Sequence, residues 1–142
     1  MLLSKSFGIS GSGLTAERLR LDIIAANLAN ANSTRTPEGG PYRRKVAVLE
    51  ARQAPTFAGI FGGIEPCGVR VARIAEDQTE FPVRYEPGHP DADASGYVKM
   101  SNVNVVNEMV DLITATRAYE ANATAMNAAK TMARKALELG KA

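Results

Sequence analysis

Apolar residues recur at helical spacing at both ends of the chain and alternate between those ends. From Leu14 to about Asn32, Leu14, Leu21, Ile24 and Leu28 share one side of a helix. Leu19 and Ile23 lie nearly opposite, and Arg18, Arg20, Asp22 and Asn27 occupy the strips between. Leu14, Leu21 and Leu28 also keep heptad spacing, with Ile24 and Ala31 at the companion position. Gly8, Gly11 and Gly13 interrupt the pattern, so the helix is expected to settle after Gly13, capped by Ser12 or Thr15. The run Asn30 to Thr34 ends it, asparagine tolerating the left-handed conformation common just past a helix.

A second helix is predicted from about Val105 to Glu138, capped by Asn102 or Asn104 and stopped by Gly140. Its length is on the order of 50 Å. Val105, Met109, Leu112, Thr116, Tyr119, Ala123, Met126, Lys130, Ala133 and Leu137 follow a 4-3 spacing that reads as a coiled-coil seam with two polar interruptions. Ala118, Ala121, Ala125, Ala128, Ala129 and Ala136 fall mostly on the other side.

Between the helices the period shortens. Residues 35–45 form a connector dense in breakers. Strands are expected at Lys45–Glu50, at Cys67–Ile74 with Val69, Val71 and Ile74 to one side, at Glu80–Tyr85 with Pro82 marking an edge, and at Tyr97–Met100. The turn-rich segment Pro87–Asp93 separates the last two. Phe57–Gly63 is Gly-rich and apolar, and residues 51–66 carry no clear signal. The fold class is therefore α+β: long terminal helices pairing as a coiled coil around a small centre of short antiparallel strands. The expected divisions are 1–34, 35–101 and 102–142.

Composition sharpens this picture. Hydrophobic residues make up 45% of 142 positions, but alanine supplies much of that share and tryptophan is absent, which favours thin helix packing over one deep core. One helix pairing buries one face of each partner. It leaves Leu19, Ile23 and the alanine side of the second helix over, and the natural cover for such surface is further protein. The alternative is that a two-helix core simply packs on the small sheet. A net charge of +2 gives no steering toward nucleic acid or anionic lipid. The single Cys67 excludes an intrachain disulfide. The N-terminus lacks the apolar core and cleavage site of a secretory signal, and no run approaches the roughly 18 apolar residues of a membrane span. These rules alone place the chain in the cytosol.

No catalytic, cofactor or metal site is expected. His89 is the one histidine, and with Asp91 and Asp93 it reads as a solvated turn lacking the further ligands of a calcium loop. One His and one Cys do not make a zinc site. Gly8 to Gly13 lacks the strand and lysine of a phosphate loop. Arg43, Arg44 and Lys45 form a basic run with no stacking aromatics, read as a solvated strand start.

Leu14-Thr15-Ala16-Glu17-Arg18, followed by Ala25 through Thr36, resembles the N-terminal signature of bacterial flagellar axial proteins, the rod and hook class. Within it stand Asn27, Asn30, Asn32 and Thr34. Arg117-Ala118-Tyr119-Glu120-Ala121-Asn122 is similar to the second signature of that class. Thr36 through Arg44, Tyr85 through Asp93 and Gly96-Tyr97-Val98 resemble its short proximal-rod members. The likeness runs in order along almost the whole chain. Ala31 and Ser33 depart from the bulkier residue and threonine that the class often carries.

The resemblance implies a structural, non-enzymatic subunit of the periplasmic drive shaft, exported through the flagellar type III apparatus without a cleaved signal. That would override the cytosolic placement. It further implies assembly with copies of itself, with the rod proteins FlgB, FlgF and FlgG and with the rod-base adaptor FliE, without nucleic acid or membrane insertion. On this reading Leu14, Leu19, Leu21, Ile23, Ile24 and Leu28 meet Val105, Met109, Leu112, Tyr119, Met126 and Leu137 in helix pairing and subunit contacts, and Arg117 and Glu120 set register. The alternative function is a coiled-coil adaptor or chaperone-like binder that forms a closed oligomer.

Overall fold

The computed structural model describes residues 2–53 and 66–140. Two long helices enclose four short strands in the order α1 (Leu2–Ala29), β1 (Lys45–Gln53), β2 (Pro66–Glu76), β3 (Val83–Tyr85), β4 (Tyr97–Lys99) and α2 (Val105–Leu139). Phe57–Gly63 and most of the segment 51–66 lie outside the described residues.

Helix α1 begins at Leu2 and runs straight through the three glycines that were expected to delay it. At Gly13 the reason is tertiary. A Cβ at Gly13 would lie 2.9 to 3.0 Å from three side-chain atoms of Asn122, so glycine is what lets α2 approach this closely. Ser12 and Thr15 are interior residues, not caps. Thr15 Oγ1 donates to the Gly11 carbonyl at 3.1 Å, and Ser12 Oγ donates to the Ile9 carbonyl at 2.7 Å. At the other end, Asn30 closes the last turn through its backbone N–H and its side-chain amide, both bonded to the Ala26 carbonyl. No described residue other than glycine has a positive φ, so the asparagines end the helix by hydrogen bonding and not by left-handed backbone.

The two helices run antiparallel. Gly11 lies beside Met126, Gly13 beside Asn122, Arg20 beside Asp111 and Asn27 beside Glu108, so one numbering climbs as the other falls. Asn104 caps α2, its Oδ1 accepting from the N–H groups of Val106 and Asn107 at 3.0 and 3.2 Å. Asn102 instead ties the strand connections together. It accepts from the Arg44 N–H at 2.7 Å and donates to the carbonyls of Asp77 and Thr79.

β1 and β2 form one antiparallel hairpin, and β3 and β4 a second. A bulge beside Val48 and Leu49 leaves Ala72 without a partner in the register and resets the alternation of β2. Through it Ile74, opposite Ala47, keeps the face of Val69 and Val71, opposite Ala51 and Leu49; the two valines are half-buried and Ile74 is exposed. The β1–β2 hairpin packs along α1, which thereby lies between the hairpin and α2. Gly68, at φ +136°, brings β2 against Ser12, whose hydroxyl accepts from the Val69 N–H at 3.0 Å. The two apolar sides read from the first helix therefore both find cover within one chain. The core is thin: Ala16, Ile23, Ile24, Ala31, Val98, Ala115 and Ala129 are its buried apolar side chains among the described residues.

Candidate functional site

The seam of α2 is rotated from its expected phase. Its buried residues are Glu108, Ala115 and Ala129, and Asn122, at the same interval of seven, packs on Gly13. The buried side chains of α2 are thus mostly small, and Ala16, Ile23 and Ile24 are buried on α1. Of the residues expected to face α1, Val105, Met109, Tyr119 and Leu137 are exposed, while Leu112 and Met126 are half-buried. On α1, Ile23 joins Ile24 in the core, whereas Leu14, Leu19, Leu21 and Leu28 are half-buried. The 4-3 repeat of large residues on α2 therefore meets α1 only in part: Met126 lies beside Gly11 and Leu112 is half-buried, while Val105, Met109, Tyr119 and Leu137 are exposed in the single chain. Alanine lets the helix axes approach, and those four are turned outward.

What α2 presents outward near its start is an apolar stripe. Val106, Met109, Val110 and Ile113 lie one turn apart and keep 68, 52, 58 and 56% of their surface exposed. Arg117 and Glu120 continue along the outer side, both exposed, and neither makes an ion pair among the described residues. Register within the chain is instead marked by Arg20, whose guanidinium reaches Asp111 at 3.5 Å.

At the end of the helix pair, α1, α2 and β1 meet in a polar junction. Glu108 is 0% exposed. Its Oε1 accepts from Arg44 Nε at 2.6 Å and its Oε2 from Asn27 Nδ2 at 3.0 Å. Arg44 also reaches Asp111 at 3.2 Å and Asp77 at 3.5 Å. Asn27, 1% exposed, grips both main-chain groups of Lys45: its Nδ2 donates to the carbonyl at 2.8 Å and its Oδ1 accepts from the N–H at 3.0 Å. The same Oδ1 accepts from the Tyr42 hydroxyl at 3.1 Å. Every hydrogen-bonding group of the Asn27 amide is engaged, the condition under which a buried polar group stabilises a fold.

Electrostatics follow from this geometry. Burial pushes the Tyr42 phenol above its ordinary value, and the negative charges of Glu108 and Glu76 add to the effect. Burial works to lower Arg44, but the hydrogen bond and charge of Glu108, with Asp111 and Asp77, outweigh it and hold the guanidinium above its usual range. Asp77 is held below the usual carboxylate value by the Thr79 hydroxyl and N–H, with Arg44 adding to both.

Sequence reasoning placed Asn27 in a motif but missed Glu108 and Arg44, because charged residues in a first helical turn and before a strand read as solvated. The remaining motif residues divide. Asn30 closes α1, and Thr34 donates to Asp91 at 2.8 Å beside the Arg35–Asp91 ion pair, tying the Pro87–Asp93 turn to the end of α1. Asn32 is exposed. His89 Nδ1 accepts from the Asp91 N–H at 3.1 Å, an arrangement internal to the turn. Among the described residues no group of three or more His, Cys, Asp or Glu is placed to hold a metal, and no helix is long and apolar enough to cross a membrane.

Residues 8–35 match the family described as flagella basal body rod protein, and residues 94–139 match the C-terminal family of flagellar basal body rod FlgEFG proteins. The two matches cover most of both helices, including Asn27 and Glu108 but not Arg44, and they define the chain as a flagellar basal-body rod protein. Comparison with whole proteins narrows this. The chain is 46% identical to the flagellar basal-body rod protein FlgC of Borreliella burgdorferi, over 98% of each chain. It is 46% identical to that of Bacillus subtilis, over 96% of this chain and 97% of the other. It is 47% identical to that of Escherichia coli O6:H1, over 99% of each. The chain belongs to the FlgC family. It is a structural subunit of the flagellar basal-body rod, and the reading as an adaptor forming a closed oligomer is set aside.

Proposed function

We propose that the α1–α2 pair builds the inner layer of the proximal rod, with the outward stripe of α2 seated on helices of neighbouring subunits in coiled-coil fashion. The observation that carries this reading is the run Val106, Met109, Val110 and Ile113, more than half exposed in the single chain. Burying one such side chain fully is worth about 1.5–3 kcal/mol, so covering the exposed half of four contributes on the order of 3–6 kcal/mol per contact. A head-to-tail contact whose rotation does not close gives a helical shaft able to carry torque. Val105, Tyr119 and Leu137, also exposed, extend this surface. The half-buried Leu14, Leu19, Leu21 and Leu28 of α1 serve as further assembly contacts in this reading, and Arg117 and Glu120 are polar members of the outer face. The divisions 1–34 and 102–142 then serve assembly, and 35–101 forms an outer layer.

The partners in this reading are further copies of the chain, FlgB, FlgF and FlgG, and FliE at the rod base. The route is export through the flagellar type III apparatus, without a cleaved signal, into the periplasm. Val110→Asp and Ile113→Asp test the docking surface. Both sites are exposed, so circular dichroism of the purified variants is expected to be unchanged, while swimming is lost and the variants are missing from purified basal bodies. Wild-type swimming with normal incorporation contradicts the proposal. Leu21→Asp and Leu28→Asp are poorer probes, because both side chains are half-buried within the chain itself.

A further inference from the structure

We infer that Asn27, Arg44 and Glu108 form a mechanical coupler that fixes the angle between the β1–β2 hairpin and the helix pair. The inference rests on the rod-subunit reading, since a fixed angle matters most where the hairpin must meet a neighbour while the helices bear load.

Both strands of the hairpin pack along α1, and two side chains of α1 hydrogen-bond to their main chain. One is distal, where Ser12 Oγ accepts from the Val69 N–H at 3.0 Å. The other lies at the base of β1, where the Asn27 amide holds the N–H and carbonyl of Lys45 at 3.0 and 2.8 Å. Fifteen residues of α1 separate Ser12 from Asn27, about 22 Å along the axis. Two attachments that far apart fix a direction, whereas one alone permits a pivot.

The basal attachment is unlike the distal one because it reaches α2. Glu108 accepts from Asn27 at 3.0 Å and from Arg44 Nε at 2.6 Å, so a carboxylate on α2 ties together the amide that grips β1 and the guanidinium immediately before β1. Asn27 and Glu108 are fully buried, and the cavity that Arg44 and Glu108 line with Ile23, Ile24, Val46 and Ala47 is only about 50 Å³. Asn27 and Glu108 resist rearrangement because a bond broken at either leaves an unsatisfied group out of reach of water. Asn27, Arg44 and Glu108 are thus positioning residues: they set where the hairpin points and need make no contact with a neighbouring subunit.

The test is a distance distribution by double electron–electron resonance on the full chain. Cys67→Ser removes the one native thiol, and nitroxides are attached at Arg73→Cys on β2 and Thr116→Cys on α2, both exposed positions. The reference protein is expected to give a single narrow distribution. Asn27→Ala and Arg44→Lys are expected to broaden it about twofold or more at unchanged helix content, as a locally released element does. Tyr42→Phe is expected to stay narrow, because Asn27 Oδ1 keeps the Lys45 N–H. If Asn27→Ala loses helix content, Arg44→Lys decides alone, since it retains the charge and the stem but not the Nε donor. Narrow distributions in both variants overturn the coupler, as does broadening by Tyr42→Phe equal to that of Asn27→Ala. Those results leave the rod-subunit reading intact. Normal incorporation of the α2 stripe variants would remove the docking reading and leave the coupler standing.

Discussion

Three glycines inside α1 give a prediction whose sign changes along a single helix. Alanine is favoured over glycine in a helix interior by about 0.5–1 kcal/mol. At Gly8 an added Cβ meets nothing within 4 Å, so Gly8→Ala is expected to stabilise by that amount. At Gly11 the nearest atom is Met126 Cε at 3.6 Å, an ordinary contact, and Gly11→Ala is expected to stabilise as much or slightly more. At Gly13 the Cβ would sit 2.9 to 3.0 Å from Oδ1, Cγ and Nδ2 of Asn122. Asn122 is not free to swing, because its Nδ2 donates to the Ala118 carbonyl at 2.9 Å. Overpacking costs about 1–3 kcal/mol, which exceeds the propensity gain, so Gly13→Ala is expected to destabilise by about 1 kcal/mol net. Urea unfolding followed by circular dichroism reads all three substitutions. Asn122→Ala in the Gly13→Ala background should recover the loss, so that the double variant is more stable than the sum of the two single changes requires. If Gly13→Ala stabilises like Gly8→Ala, the close antiparallel approach of α1 and α2 at this point is wrong.

The polar junction yields the remaining expectations. Arg44→Ala strands the carboxylate of Glu108 in the interior, and loss of one partner of a buried pair costs about 3–5 kcal/mol, here nearer the lower figure because the Arg44 side chain is 23% exposed. A urea midpoint within experimental error of wild type would show that Glu108 finds other support. On the acid side, the folded pKa of Asp77 lies below its ordinary 3.8, so its contribution is full above 3.8 and is lost as pH falls through the lowered value. Asp77→Asn should therefore unfold with a shallower acid limb below pH 3.8, measured by circular dichroism. On the alkaline side, the folded pKa of Tyr42 lies above its ordinary 10.0, so its contribution is full below 10.0 and fades as pH rises through the raised value. Tyr42→Phe should remove that alkaline loss, and an unchanged alkaline limb would place the phenol outside the junction.

The strands were legible because alternation and breakers act locally: β1, β2, β3 and β4 all fall where the pattern put them, with ends shifted by a few residues. Tertiary contacts decided the rest. The start of α1 was hidden because a glycine that breaks a helix and a glycine that admits a neighbouring helix look alike until Asn122 is known to lie across from Gly13. The junction was hidden because the cues for Glu108 and Arg44, a charge in the first turn of a helix and a charge before a strand, are those of solvated residues. The phase of α2 was the instructive loss. Two heptad-spaced sets run along that helix, one of large residues and one led by Glu108, Ala115, Asn122 and Ala129, and periodicity fixes spacing without saying which set meets the partner. In a protein that ends with one chain, the large set would be expected inside, since it carries most of the apolar surface. Here Ala115 and Ala129 are buried, Leu112 and Met126 are only half-buried, and Val106, Met109, Val110 and Ile113 stay more than half exposed. That arrangement follows if the folded chain is a component of a larger packing: the small set lets one subunit close on itself, and the outward stripe is left for neighbouring subunits.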